Sequence, residues 1–159
     1  MVLTIDIGNT TIGIGGFQGN KLLFIEKISS RRPLSDAGYI EKLNMILNKH
    51  GLSAEAFEGS MISSVVPSVT AVFSSALETF LGRKPLILSH KLDLGYEICT
   101  EFPEKVGCDR LADIAGAISR YSLPFVTIDL GTATTFNVLD ENRRFLGGLI
   151  LPGVGTAHR

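Results

Sequence analysis

The sequence has little of what marks several common protein classes. Only two cysteines occur in 159 residues, Cys99 and Cys108, and no CxxC or Cys/His cluster surrounds them. Neither a disulfide framework nor a zinc site is indicated, and the expectation is two buried, reduced thiols in a cytoplasmic setting. No sign of charge predominates: fifteen Lys and Arg face sixteen Asp and Glu, for a formal net charge of −1. Such a balance offers no chain-wide field for collecting nucleic acid or an anionic membrane, so an anionic ligand must be gripped locally. No uncharged apolar run reaches membrane-spanning length. The opening MVLTIDIGNTT places Asp6 inside the apolar run without a basic leader, which argues against a secretory signal. A GxxxxGK[ST] loop is missing, as is a GxGxxG leading from strand to helix, so neither the P-loop nor the dinucleotide-binding fold is supported.

What is present suits a globular α/β chain, with 45% hydrophobic and 19% charged residues. Residues 2–7 form a short β-branched run that stops at Gly8-Asn9. Residues 10–17 and 21–28 flank Gln18-Gly19-Asn20, a turn that tolerates positive φ, so the N-terminus reads as a three-strand meander. Ser35-Asp36 starts an amphipathic helix closed by His50-Gly51. Residues 60–66 read as a strand, Pro67 opens a helix whose stripe runs from Val69 to Phe80, Gly82 ends it, and residues 85–88 form another strand. Residues 91–107 show neither period and read as loop. Residues 109–121 form a helix with Leu111, Ile114, Ala115 and Ile118 inward, and residues 124–130 a second buried strand ending in glycine.

The opening pattern restarts there. Thr-Ile-Asp-x-Gly at Thr4 to Gly8 recurs at Thr127 to Gly131, 123 residues on, followed each time by a second β-like run, a turn and a third run. An Asp at a strand end can hold a hydrated cation, and the following glycine lets backbone N–H groups approach phosphate oxygens without a Cβ in the way. Thr10, Thr11, Thr132, Thr134 and Thr135 add hydroxyl donors. One such loop alone would read as a tight hairpin turn. Two, at the ends of matched strands, point to a polyphosphate held for phosphoryl transfer. Gly13-Ile14-Gly15-Gly16 lies within a strand and reads as close packing.

The paired loops resemble the nucleotide cleft of the actin, sugar kinase and heat-shock chaperone superfamily, and more closely type III pantothenate kinase. Four motifs in order carry the resemblance: Asp6-Ile7-Gly8-Asn9-Thr10, Gly107-Cys108-Asp109-Arg110, Asp129-Leu130-Gly131-Thr132-Ala133-Thr134-Thr135, and Gly147-Gly148-Leu149-Ile150-Leu151-Pro152-Gly153. The resemblance implies ATP-dependent phosphorylation of pantothenate to 4'-phosphopantothenate, the first step of coenzyme A biosynthesis. It also implies two ribonuclease-H-like units, residues 1–122 and an incomplete second at 123–159, with an ATP cleft between them.

By the same resemblance ATP is bound by Asp6, Ile7, Gly8, Asn9, Thr10, Thr11, Ile12, Gly13, Gly131 and Thr132. Pantothenate is bound by Gly107, Cys108, Asp109 and Arg110, with Asp109 the catalytic base. Asp129 holds a monovalent cation, K+ or NH4+, Asp6 serves Mg2+, and the protein is a homodimer. Members of the family continue beyond the position matching Arg159, so the second unit is expected to be incomplete. A non-catalytic ATP-binding regulator and a kinase of another small alcohol remain alternatives. Chemistry alone offers two readings of Asp109 and Arg110: a base beside a carboxylate-binding guanidinium, or a helix cap beside a solvated arginine. His50, His90 and His158 read as surface residues and Arg31-Arg32-Pro33 as a solvated turn.

Overall fold

Alternating burial along residues 2–18 builds the first sheet. In the computed structural model, which describes residues 1–153, β1 (Val2–Ile7), β2 (Thr11–Gln18) and β3 (Lys21–Ser29) pair antiparallel in succession. Leu3, Ile5 and Ile7 from β1 and Ile12 and Ile14 from β2 point into one core, each 1% exposed or less. Gly19 supplies the positive φ of 56° in the β2–β3 turn.

Helix α1 (Asp36–Lys49) starts where Ser35 Oγ accepts the Gly38 N–H at 3.2 Å. Strand β4 (Gly59–Ser64) then lies parallel to β1. Pro67 occupies the first turn of α2 (Pro67–Leu81), and Gly82 at φ 66° ends that helix. Strand β5 (Leu86–Ile87) closes the sheet in the order β3-β2-β1-β4-β5. Tyr39, Leu43 and Leu47 of α1 and Val69, Phe73 and Leu77 of α2 complete the core. Three antiparallel strands followed by parallel strands with helical crossovers are the ribonuclease-H-like arrangement.

The second unit begins at Ser89. Strand β6 (Glu97–Ile98), α3 (Cys108–Ile118), β7 (Phe125–Leu130), β8 (Ala133–Leu139) and β9 (Arg144–Pro152) follow. Its sheet runs β6-β9-β8-β7, so β7-β8-β9 repeats the opening meander and β6 joins parallel to β9. The core is smaller: Ile114, Leu139 and Phe145, with Ile98, Val106, Ile118, Leu123 and Phe125 packed around them. The fold is thus α/β with a repeated ribonuclease-H-like meander.

The compact units divide between Leu88 and Ser89, with α3 packed on the second sheet. Several local expectations change. Residues 91–107 contain β6 and a 3-10 turn at Pro103–Lys105, both too short to show a period. Helix α3 ends at Ile118 and buries Ala117 in place of Ala115. Strand β7 is not buried: Val126, Ile128 and Leu130 are 54%, 56% and 72% exposed. The cysteines are free, but Cys99 is exposed and Cys108 only half-buried. His50 is exposed as expected, and its Nε2 lies 2.9 Å from Glu26 Oε1 while its ring stacks on Phe24 at 4.6 Å. His158 lies outside the described residues. No described helix is long and apolar enough to cross a membrane.

Candidate functional site

In the first unit the chain leaves β1 at Ile7 and re-enters the sheet at Thr11. The Gly8 N–H donates to Thr11 O at 2.9 Å and the Ser30 N–H to Thr10 O at 3.1 Å, which ties the loop to the end of β3. Asp6 stands opposite Gly13. Asp6, Asn9 and Thr11 are exposed, Gly8, Thr10 and Gly13 half-buried, and Ile7 and Ile12 fully buried. Of the predicted ATP contacts, Ile7 and Ile12 therefore have side chains committed to the core and only backbone to offer a ligand. Beside the loop a cavity of about 410 Å³ is lined by Thr10, Thr11, Lys27, Ile28, Ser29 and Arg31. Lys27 and Arg31 bring positive charge beside the hydroxyls, as an anion requires. Sequence reading missed Lys27, which lies in no motif, and read Arg31 as solvated, in keeping with its exposure.

In the second unit the loop after β7 is tighter: the Gly131 N–H donates to Ala133 O at 3.0 Å, and Asp129 stands opposite Thr135. The loop leans on Gly153, whose N–H donates to Thr132 O at 3.2 Å. A Cβ at Gly153 would collide with the carbonyls of Gly131 and Thr132. A cavity of about 480 Å³ lies between α3 and β7, with Asp113, Arg120 and Tyr121 on one side and Thr127, Ile128 and Asp129 on the other.

Helix α3 carries the remaining motif in its first turn. Gly107 is the N-cap, so Asp109 is not the cap that its residue type suggested. It sits one position further in, where its Oδ1 accepts the Arg110 N–H at 2.8 Å and its charge faces the positive helix end. The Arg110 side chain is not solvated either. Its Nε donates to Asn137 Oδ1 at 2.6 Å, Nη2 donates to Phe136 O at 3.2 Å, and the guanidinium lies over the Phe145 ring at 5.4 Å. Burial pushes the Arg110 pKa down and Asp109 offsets part of that shift. Asn137, fully buried, passes its Nδ2 donor to Thr127 Oγ1 at 3.0 Å. A Cβ at Gly148 would collide with Phe136 O and meet Arg110 Nη2 at 3.0 Å, so the glycine pair leaves the gap this arginine fills. Tyr96 OH donates to Leu111 O at 2.9 Å, holding the preceding loop against α3. The fold thus brings Asp109 and Arg110 together with Asn137 and Phe145, two residues that no motif indicated. The one available signal for Asn137 was a polar residue on the same strand parity as Leu139.

The donor chemistry suits the implied cations. Asp6 with Thr10 and Thr11, and Asp129 with Thr127, offer only hard oxygens, as Mg2+ and K+ prefer. Among the described residues no three acidic, His or Cys side chains gather into a metal cage.

A family model described as type III pantothenate kinase matches residues 2–159. Proteins named type III pantothenate kinase from Thermomicrobium roseum and Bifidobacterium animalis subsp. lactis are 36% and 39% identical over 157 residues, 99% of this chain. The chain spans only 61% and 62% of their lengths. Among solved structures, a ROK hexokinase from Thermus thermophilus superposes with TM-score 0.50 at 16% identity, over 98% of this chain and 50% of that one. This last likeness bears on fold alone.

Proposed function

Since the chain belongs to the type III pantothenate kinase family, we propose that the protein transfers the γ-phosphoryl group of ATP to the primary hydroxyl of pantothenate, giving 4'-phosphopantothenate and ADP. The observation that carries the reading is the first turn of α3, where a carboxylate and a guanidinium stand on adjacent residues. Arg110 takes the pantothenate carboxylate and Asp109 accepts the hydroxyl proton through Oδ2, its Oδ1 being used by the Arg110 N–H. The hydroxyl oxygen forms a bond to the γ-phosphorus as the bond to the β–γ bridging oxygen breaks, and ADP departs with those electrons.

The residues from Asp6 to Gly13, with Gly131 and Thr132, bind the ATP phosphates through backbone N–H groups and threonine hydroxyls. Asp6 would hold Mg2+, which supplies charge neutralisation on the phosphate oxygens. Asp129 would hold the monovalent cation, K+ or NH4+, in the cavity it shares with Thr127 and Asp113. The protein is read as a cytoplasmic homodimer that starts coenzyme A synthesis.

Incubation with ATP, Mg2+, K+ and either pantothenate or another small alcohol, with mass detection of products, tests the reading. Phosphopantothenate is the expected product. ATP binding without turnover would replace the reading by a regulatory one, and turnover confined to another alcohol would change the acceptor.

A further inference from the structure

Resting on the reading of Arg110 as the carboxylate grip, we propose that Asn137 is the positioning residue that sets this guanidinium for its substrate. Asn137 is 0% exposed on β8, where a primary amide must have partners. Both of its ends have one. Oδ1 accepts from Arg110 Nε at 2.6 Å, and Nδ2 donates to Thr127 Oγ1 at 3.0 Å. Arginine has only donors, so the amide oxygen must face it. The Thr127 hydroxyl on the other side accepts from the amide nitrogen and holds that orientation. The amide is thus locked from both ends, and it locks the guanidinium in turn.

The lock has a direction. Nε is held by Asn137, one edge of Nη2 by Phe136 O, and one face by the Phe145 ring. Three of the five guanidinium N–H groups are not committed to these two bonds, enough for a bidentate carboxylate. Without the Nε contact the half-buried arginine would trade one hydrogen bond for rotamer freedom, and the planar fork would no longer be pre-set. Gly148 stands opposite Asn137 in the β8–β9 register, and a Cβ there would press on Arg110 Nη2. Cross-strand partner and acceptor therefore shape one socket.

The test compares wild type with Asn137→Ala, Thr127→Val and Thr127→Ser in two measurements. In ligand-free, ¹⁵N-labelled protein, the Arg110 Nε–H resonance, identified by its loss in Arg110→Lys, is expected to exchange slowly in wild type. It should also stay slow in Thr127→Ser, and exchange rapidly in Asn137→Ala. In titrations, Asn137→Ala should weaken pantothenate binding about 10- to 100-fold, the scale of a lost charge-assisted hydrogen bond. ATP should change less than about twofold, and so should pantothenol, which carries an alcohol where pantothenate has its carboxylate. Should Asn137→Ala not fold, the Thr127 pair carries the test: Val loses part of the preference for pantothenate over pantothenol and Ser keeps it. An unchanged Nε–H signal in Asn137→Ala, equal weakening of pantothenate and pantothenol, or identical behaviour of Thr127→Val and Thr127→Ser overturns the assignment of Asn137. A wild type that binds no pantothenate overturns the proposed acceptor, and the carboxylate role with it. A wild type that prefers pantothenate while Asn137→Ala keeps that preference overturns the Asn137 inference alone.

Discussion

Strands β1 and β7 carry the same Thr-Ile-Asp, yet Ile5 is 1% exposed and Ile128 is 56% exposed. Strand β1 lies between β2 and β4 with two helices packed on its sheet, whereas β7 is the edge of a four-stranded sheet among the described residues. The motif therefore specifies a loop, while neighbouring elements decide whether the strand beneath it is buried. The loops themselves also differ. Ile7 pairs with Ile12, but Leu130 pairs with Thr134, so the second hairpin is one residue shorter and Asp129 faces Thr135 where Asp6 faces Gly13. Equivalence at a constant offset of 123 residues holds through Gly131 and slips by one after it. Support differs too: the first hairpin rests on aliphatic packing, and the second on backbone approach at Gly148 and Gly153 and on the Arg110–Asn137 contact.

The largest expected effect assigns the proton transfer to the second unit alone. Asp109→Asn should lower turnover on the order of 10²- to 10⁴-fold, with ATP affinity held. Because Gly107 is the cap, the stability loss should stay near the helix-dipole contribution of about 0.3–1 kcal/mol. Single-turnover product formation beside thermal unfolding separates the two, and turnover within about threefold of wild type would remove the base from Asp109.

Next comes the pair that tests burial directly. Ile5→Ala should cost about 2–5 kcal/mol in urea unfolding. Ile128→Ala, at the matched motif position, should stay within about 0.5 kcal/mol. Equal losses would mean that the β7 face is covered in the protein in solution.

A smaller contrast concerns close approach. Gly148→Ala drives a Cβ into a backbone carbonyl, and should cost about 1–3 kcal/mol or more. Gly16→Ala presses on the Phe24 ring, which can turn, so its loss of thermal midpoint should be the lesser. The reverse order would show that Phe24, stacked on His50, is the more rigid wall.

The smallest effect is on pH dependence. Hydrogen bonds from Lys49 first, and from His50, hold the Glu26 carboxyl below its ordinary value. In the second unit burial raises Asp140, but hydrogen bonds from Arg144 and Asn142 outweigh it and the net shift is downward. A depressed carboxyl stabilises the fold above its unfolded value and loses that contribution as pH falls through the folded value. Stability should thus decline in the acid limb below about pH 4. Glu26→Gln should flatten part of that limb in urea midpoints taken between about pH 3 and 6. An unaltered slope would leave the decline to Asp140 and its partners.

Much of the fold was readable because it is written in short-range patterns. The β-branched run at residues 2–7 and the Gln18-Gly19-Asn20 turn announced the first meander, Ser35 and Gly82 announced helix ends, and the repeated Asp-x-Gly announced the second meander. Strand β5 was read within residues 85–88, but β6 was not legible, since two residues cannot show a period. Of the candidate site, Asp109 and Arg110 were legible as a motif. Residue type alone left two readings open, a base beside a carboxylate-binding guanidinium or a helix cap beside a solvated arginine, and the Gly107 cap and the Arg110–Asn137 bond set the second aside.

By itself, the sequence determined which residues could serve phosphate, cation and acceptor, because glycine, aspartate, threonine and arginine bring those properties wherever they are placed. Only the tertiary structure decided which of them act together. Asn137 lies 27 residues from Arg110 along the chain, and no local pattern couples positions so far apart. The coupling comes from β8 running beneath α3, the gap left at Gly148 and the Phe145 ring beside it. These are long-range contacts whose energy depends on distance in space, and distance along the chain does not encode it.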